Sequence, residues 1–254
     1  FKNLGTSYSQ KIVLTGVTDS VSIENNTFLG YQGGNSSNHV SVYGNNADAT
    51  GLKIKNNSFT DGGYFAIYLD NDNSSSSPTG LEISGNTFTN TYSGIYAEYF
   101  DAVTIRGNTI KGSYMYGYGL FLYYCDGANV IEDNTIYAPD MSYGLYLNYC
   151  QATSGNEATI ANNLISVEDH GIYFYQYNYY QNVYYNSVKV RDSHALYTHT
   201  GNSNNTLINN ILLTDASGSA AAYFYNTSVF TNSDHNDFYT EYASPIHYSG
   251  NKTL

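Results

Sequence analysis

Apolar residues in this chain fall two apart and stay in short runs. Leu81 and Ile83 flank Glu82, and Phe88 follows Asn86 by two positions. A second alternating run reads Ala66-Ile67-Tyr68-Leu69, then Gly94-Ile95-Tyr96-Ala97, Gly119-Leu120-Phe121-Leu122 and Gly144-Leu145-Tyr146-Leu147. It continues as Gly171-Ile172-Tyr173-Phe174, Ala195-Leu196-Tyr197-Thr198 and Ala221-Ala222-Tyr223-Phe224. A two-residue period places one face of a strand in a core, and no stretch carries a 3.6-residue apolar face. The pattern predicts strands and no helices.

The strands recur about every 26 residues around an asparagine. Val21-Ser22-Ile23-Glu24-Asn25-Asn26-Thr27-Phe28 returns as Leu52-Lys53-Ile54-Lys55-Asn56-Asn57-Ser58-Phe59. It returns again at Leu81–Phe88 and Val103–Ile110, with weaker copies centred on Asn134, Asn163, Asn186, Asn210 and Asn236. A fixed motif whose spacing varies by insertion is a solenoid. Each coil needs at least two strands, and three fit best, joined by Asn, Gly, Ser and Asp turns. Stacked in parallel at about 4.8 Å, they predict an all-β, parallel β-helix of about nine to ten coils, roughly 45 Å long. Right-handed winding follows from the preference for right-handed crossovers.

The asparagine column has a structural explanation. A stacked amide donates to one coil and accepts from the next, so the ladder satisfies itself. Asparagine also tolerates the left-handed backbone that an inward turn requires. The Asn-x-Ser/Thr triplets at Asn25, Asn56 and Asn204 overlap the ladder and read as fold rather than glycosylation acceptors.

These paired strings, Asn-Asn-Thr-Phe and Gly-Ile-Tyr-Leu, resemble the parallel β-helix repeats of carbohydrate-binding and sugar-hydrolase proteins, which the copper-maturation NosD proteins share. The resemblance covers nearly the whole chain. It implies the fold and names no activity. A narrower stretch, Ser233-Asp234-His235-Asn236-Asp237-Phe238-Tyr239 followed by Ser249 to Leu254, is similar to the last coils of large secreted bacterial β-helix proteins, often exported by the type IX route. That resemblance implies a secreted or cell-surface setting. The uninterrupted repeat makes residues 1–254 one domain, and neither end reads as a cap, so a segment of a longer surface protein is expected.

Composition removes several functions. The net charge is −12, with seven lysines and two arginines, so the clustered cations of a nucleic-acid interface are missing. No run of 18 apolar residues exists to span a membrane as a helix, and Phe1-Lys2-Asn3 opens no signal-peptide pattern. Cys125 and Cys150 each lie six residues after the glycine of their strand, which stacks them on adjacent coils. Stacked free thiols and a disulfide both fit that placement.

Candidate chemistry is thin. β-Helix lyases use acidic residues for calcium and an Arg or Lys as base. Arg106 and Arg191 are the only arginines, and Arg106 shares an outward column with Glu24, Lys55 and Glu132. Cross-coil ion pairs of Arg106 with Glu132 and of Glu24 with Lys55 are expected, worth under about 1 kcal/mol each. Glu168-Asp169-His170 and Asp192-Ser193-His194 bring two aspartates and two histidines to one corner, where solvated turn residues, a carboxylate pair for glycoside hydrolysis or a metal site are alternatives. Asp70 and Asp72, before Ser74 to Ser77, are a weaker calcium candidate. None of these makes a catalytic or metal-binding assignment, and no cofactor is expected.

The tyrosines carry the functional expectation. There are 30, and no tryptophan. Tyr68, Tyr96, Phe121, Tyr146, Tyr173, Tyr197 and Tyr223 should form one outward column, with Tyr123, Tyr175 and Tyr225 two positions on. Such a stripe stiffens the sheet or serves as a platform for glycan or a protein partner, including other domains of the same surface protein. Ice binding would need outward threonines in place of these rings. The expected function is therefore a non-catalytic structural or adhesive segment; the alternative is a polysaccharide lyase or glycoside hydrolase.

Overall fold

The computed structural model describes residues 1–2, 10–16, 19–31, 39–46, 49–71, 77–112 and 116–249. It is an all-β solenoid of three parallel sheets, one strand of each sheet per coil. Among the described residues the first sheet has ten strands, from Ile12–Leu14 to Ile246–Tyr248; the second has nine, from Ser22–Glu24 to Phe230–Asp234; the third has nine, from Thr27–Tyr31 to Asp237–Thr240. The coil makes about eight complete turns. That is slightly below the expected nine to ten, because the nine asparagine bends enclose only the turns between them.

The register is the one that the two-residue period requires. In the first sheet Ile67, Ile95, Leu120, Leu145, Ile172 and Leu196 pair in succession, as do Leu69, Ala97, Leu122, Leu147 and Phe174. All are buried. The third sheet contributes Phe28, Phe59 and Phe88, whose rings stack at 4.7 and 5.0 Å within the core. Ile110, Ile136, Ile165, Val188 and Leu212 continue that column. Small residues open each first-sheet strand because the coil is narrow there: a Cβ on Gly144 would lie 2.4 Å from Ile165 Cγ2 and 2.6 Å from the Gly171 carbonyl oxygen.

The second and third sheets meet at a two-residue bend. Its second residue is the inward asparagine: Asn26, Asn57, Asn86, Asn108, Asn134, Asn163, Asn186, Asn210 and Asn236. Each Oδ1 beyond the first accepts from the backbone N–H and the Nδ2 of the preceding asparagine. Its own Nδ2 also reaches back to a carbonyl, as Asn134 does to Ile105 at 2.9 Å.

The left-handed backbone belongs to the residue before the ladder, which corrects the expectation. Asn25, Asn56, Asp133, Asn162, Tyr185, Asn209 and His235 have φ between 53° and 58° there, and Gly85 and Gly107 fill the same place. The first residue must reverse the chain so that the second points inward. Asn25 and Asn56, the sequon asparagines, are these exposed bend residues and not ladder members. Asn204 is likewise left-handed and makes its side-chain bond to Ser203.

Candidate functional site

The aromatic column is present in register. Tyr68, Tyr96, Phe121, Tyr146, Tyr173, Tyr197 and Tyr223 pair coil by coil in the first sheet, between the two buried aliphatic columns. Tyr43 precedes them and His247 follows them. The rings stand outside the hydrophobic core, yet they shield one another. Most are half-buried, and Tyr96 is only 9% exposed. The expected exposed stripe is therefore a packed aromatic layer over the sheet.

Ring orientation divides the column. Tyr43, Tyr68 and Tyr96 stack nearly parallel, at 5.6 and 4.5 Å. Tyr197, Tyr223 and His247 do so at the other end, at 4.6 and 4.9 Å. Between them the stack breaks. Tyr96 to Phe121, Phe121 to Tyr146, Tyr146 to Tyr173 and Tyr173 to Tyr197 meet at 86°, 63°, 71° and 59°. Tyr118 and Tyr143, each three positions upstream of its column ring, stack on each other and on Phe121 and Tyr173 respectively. Tyr146 is perpendicular to Tyr118 and Tyr143, at 90° and 89°. Parallel stacking hides ring faces and leaves edges and hydroxyls. A ring perpendicular to its neighbours keeps its own faces free of such stacking.

A second tyrosine ladder lies at the corner after this sheet. Tyr99, Tyr124, Tyr149 and Tyr177 stack at 5.0, 4.7 and 5.1 Å. All four hold left-handed backbone, φ 58°, 48°, 55° and 51°, which bulky residues rarely adopt. Cross-coil bonds offset that strain: Tyr99, Tyr124 and Tyr149 donate their N–H groups to the carbonyls of Tyr123, Asn148 and Gln176. The next residue in each coil points inward, namely Phe100, Cys125, Cys150 and Asn178, all buried. Sequence reading missed this ladder. Its signal was a tyrosine immediately before each inward corner residue, at the coil spacing. Tyr123 joins the two ladders, 6.3 Å from Phe121 and 4.4 Å from Tyr124, and Tyr175 lies 5.9 Å from both Tyr146 and Tyr173.

Burial raises the phenol pKa of the rings at the middle of the layer. Tyr118 and Tyr123 are pushed up to about 12, and Tyr68, Tyr146 and Tyr173 are also raised. Tyr96 is raised by burial and by its hydrogen bond to the Glu98 carboxylate. The layer is thus an array of neutral hydroxyls at neutral pH.

The other candidates resolve differently. Arg106 is in register with Glu132 but pairs with Asp133 at 2.9 Å, and Lys55 pairs with Glu82 at 2.9 Å rather than with Glu24. The bend carboxylate, one residue on, lies within easier reach of the guanidinium. His170 and His194 do come together, with ring centroids 6.0 Å apart. His170 Nε2 lies 3.2 Å from Ser193 Oγ, and His194 Nδ1 lies 2.7 Å from the Ala220 carbonyl oxygen. Arg191 bonds the Glu168 and Asp192 carboxylates and lies 3.6 Å from Asp140. That cation holds Glu168 and Asp192 but not Asp169. Cys125 and Cys150 are buried free thiols. Asp72 and Ser74–Ser76 of the calcium candidate lie outside the described residues, as does the terminal motif from Gly250.

A smaller apolar surface lies on the outer face of the third sheet. Tyr137, Leu164 and Ile211 are exposed there around a depression of about 330 Å³. Earlier coils place Thr27, Ser58, Thr87 and Thr109 in the register positions that Leu164 and Ile211 take.

Among the described residues no helix is long and apolar enough to cross a membrane. No curated protein and no solved structure matches the chain. A family model described as periplasmic copper-binding protein (NosD) matches residues 2–206 and again 75–252. Two overlapping matches to one model are what a repeated coil produces, and together with the three parallel sheets they establish that the chain belongs to the NosD family of parallel β-helix proteins.

Proposed function

We propose that this chain is a non-catalytic binding module working outside the cytoplasm, and that its aromatic layer takes a glycan. The observation that carries the reading is the break in ring stacking at Tyr146, which meets Tyr118, Phe121, Tyr143 and Tyr173 at 63° to 90°, whereas Phe121 and Tyr173 stack on Tyr118 and Tyr143. Stacked rings alone would stiffen the sheet. Rings turned against their neighbours offer apolar area beside a hydroxyl, which suits a sugar's mixed surface. The periplasmic description of the family supports a location outside the cytoplasm.

Copper is the ligand in the family's description. Copper sites draw on His, Cys and Met. Among the described residues no group of three or more His, Cys, Asp and Glu side chains is placed to hold a metal. Burial raises the thiol pKa of Cys125 and Cys150, which disfavours the thiolate that binds metal. Met141 is fully buried in the core. These donors do not fit a resident copper, so none is assigned.

The polysaccharide-cleaving alternative needs two converging carboxylates free to act as acid and base. Of the two candidate aspartates, Asp169 and Asp192, the second is bonded to Arg191 together with Glu168, which favours the binding reading.

The test is a glycan array followed by calorimetry on the double variant Tyr146→Ala, Tyr173→Ala. Loss of binding with an unchanged fold is expected. Glycan binding that survives both substitutions would sink the platform, and retention of a protein partner alone would replace glycan with protein.

A further inference from the structure

Near the last coils a depression of about 310 Å³ opens beside the aromatic column. Its walls are His194, Gly218, Ser219, Ala220, Tyr223, Ala243, Ser244 and His247. No Asp, Glu, Lys or Arg lines it. Tyr223 is stacked between Tyr197 and His247, so its ring faces are covered and its edge and hydroxyl remain. His194 is held by the contact of its Nδ1 with the Ala220 carbonyl oxygen at 2.7 Å; donation of that N–H leaves Nε2 as an acceptor. Burial lowers its pKa and favours this neutral form. The hydroxyls of Ser219, Ser244 and Tyr223 make no hydrogen bond among the described residues.

From this convergence we infer a second binding site, a pocket for one neutral, hydroxyl-rich sugar unit at the end of the aromatic layer. It rests on the glycan reading above and narrows it to uncharged saccharides. Neutral donors and acceptors without partners recognise hydroxyls, whereas an ionic ligand would enter without a counter-charge. The chain's net charge of −12 further disfavours a polyanion. A pocket of this volume holds a small ligand, and the central rings would carry the rest of the oligosaccharide.

The test uses the full chain and four hexasaccharide probes: neutral cellohexaose and maltohexaose, anionic hexagalacturonate and a cationic chitosan hexamer. Calorimetry is run on the wild type, on Ser219→Leu with Ser244→Leu to fill the pocket, and on Tyr146→Ala to reduce the platform. His247→Ala replaces the leucine pair if that variant fails to fold. Binding of a neutral probe, weakened tenfold or more by the pocket variant, supports the site. Loss with Tyr146→Ala alone overturns the pocket and leaves the platform. Loss with the pocket variant alone keeps the pocket and removes the platform. Preference for a charged hexamer overturns the pocket's neutral specificity, and binding of no probe overturns both readings.

Discussion

Asn86 Oδ1 accepts two hydrogen bonds from Asn57, at 2.9 Å from its backbone nitrogen and 3.1 Å from its Nδ2. The same pair of bonds recurs at every step of the ladder. A bend that would otherwise bury unpaired amides thus becomes a continuous network.

Asn134→Ala should be among the most damaging polar substitutions. It strands the backbone N–H of Asn108 and removes the side-chain donor to the Ile105 carbonyl, while Asn108 Nδ2 keeps only its bond to the Ile83 carbonyl. Each buried group left unpaired costs about 1–3 kcal/mol, so a loss of at least about 2 kcal/mol is expected. Denaturant unfolding measures it. Hydrogen exchange should quicken first at the bends around Asn108 and Asn163, because solenoid coils couple mainly to their neighbours.

Leu145→Asp should prevent stable folding, since Leu145 is buried and an aspartate there has no partner. Alternation alone, which places Tyr146 outward, predicts a small cost for Tyr146→Ser. The ring contacts with Phe121, Tyr118, Tyr143 and Tyr173 revise that to about 1–2 kcal/mol. Thermal melting of the two variants side by side checks the order.

Acid should act through His170. Burial, and then the nearby His194, lowers its pKa from 6.5 to about 4. The unfolded chain then binds the proton more readily than the native one. The associated stability is fully present above about pH 6.5 and is lost as pH falls toward about 4. His170→Gln should flatten that limb, removing a pH-dependent loss on the order of 2–3 kcal/mol. A wild-type melting curve that parallels the variant's across this window would refute it.

Both thiols should be inert while the coil is folded. Burial raises the Cys125 pKa and pushes Cys150 up to about 12, and the Cys125 thiol donates to the Ala97 carbonyl at 3.3 Å. Maleimide labelling should be negligible in buffer and complete in denaturant, with its rate following unfolding. Fast native labelling would contradict the burial.

The second ladder shows where reading the chain fell short. Alternation reports which face of a strand a residue occupies, and it identified Tyr68 through Tyr223 as one column. It is silent at corners, where backbone conformation decides direction. Tyr99, Tyr124, Tyr149 and Tyr177 occupy such corners. The Arg106 and Lys55 partners were misread for a related reason: a long side chain reaches past its register neighbour, Arg106 to the bend residue Asp133 and Lys55 back along the next strand to Glu82.

The sequence by itself determined the parallel coil, its register and its asparagine ladder, because a two-residue period repeated with a fixed bend admits one way to bury Ile, Leu and Phe. Tertiary structure alone decided the tilt of each tyrosine ring and the pairing of each surface charge. It also decided the pocket at His194, Tyr223 and His247. These depend on contacts between coils roughly 25 residues apart, where ring orientation and side-chain reach are settled by neighbours that no local pattern encodes.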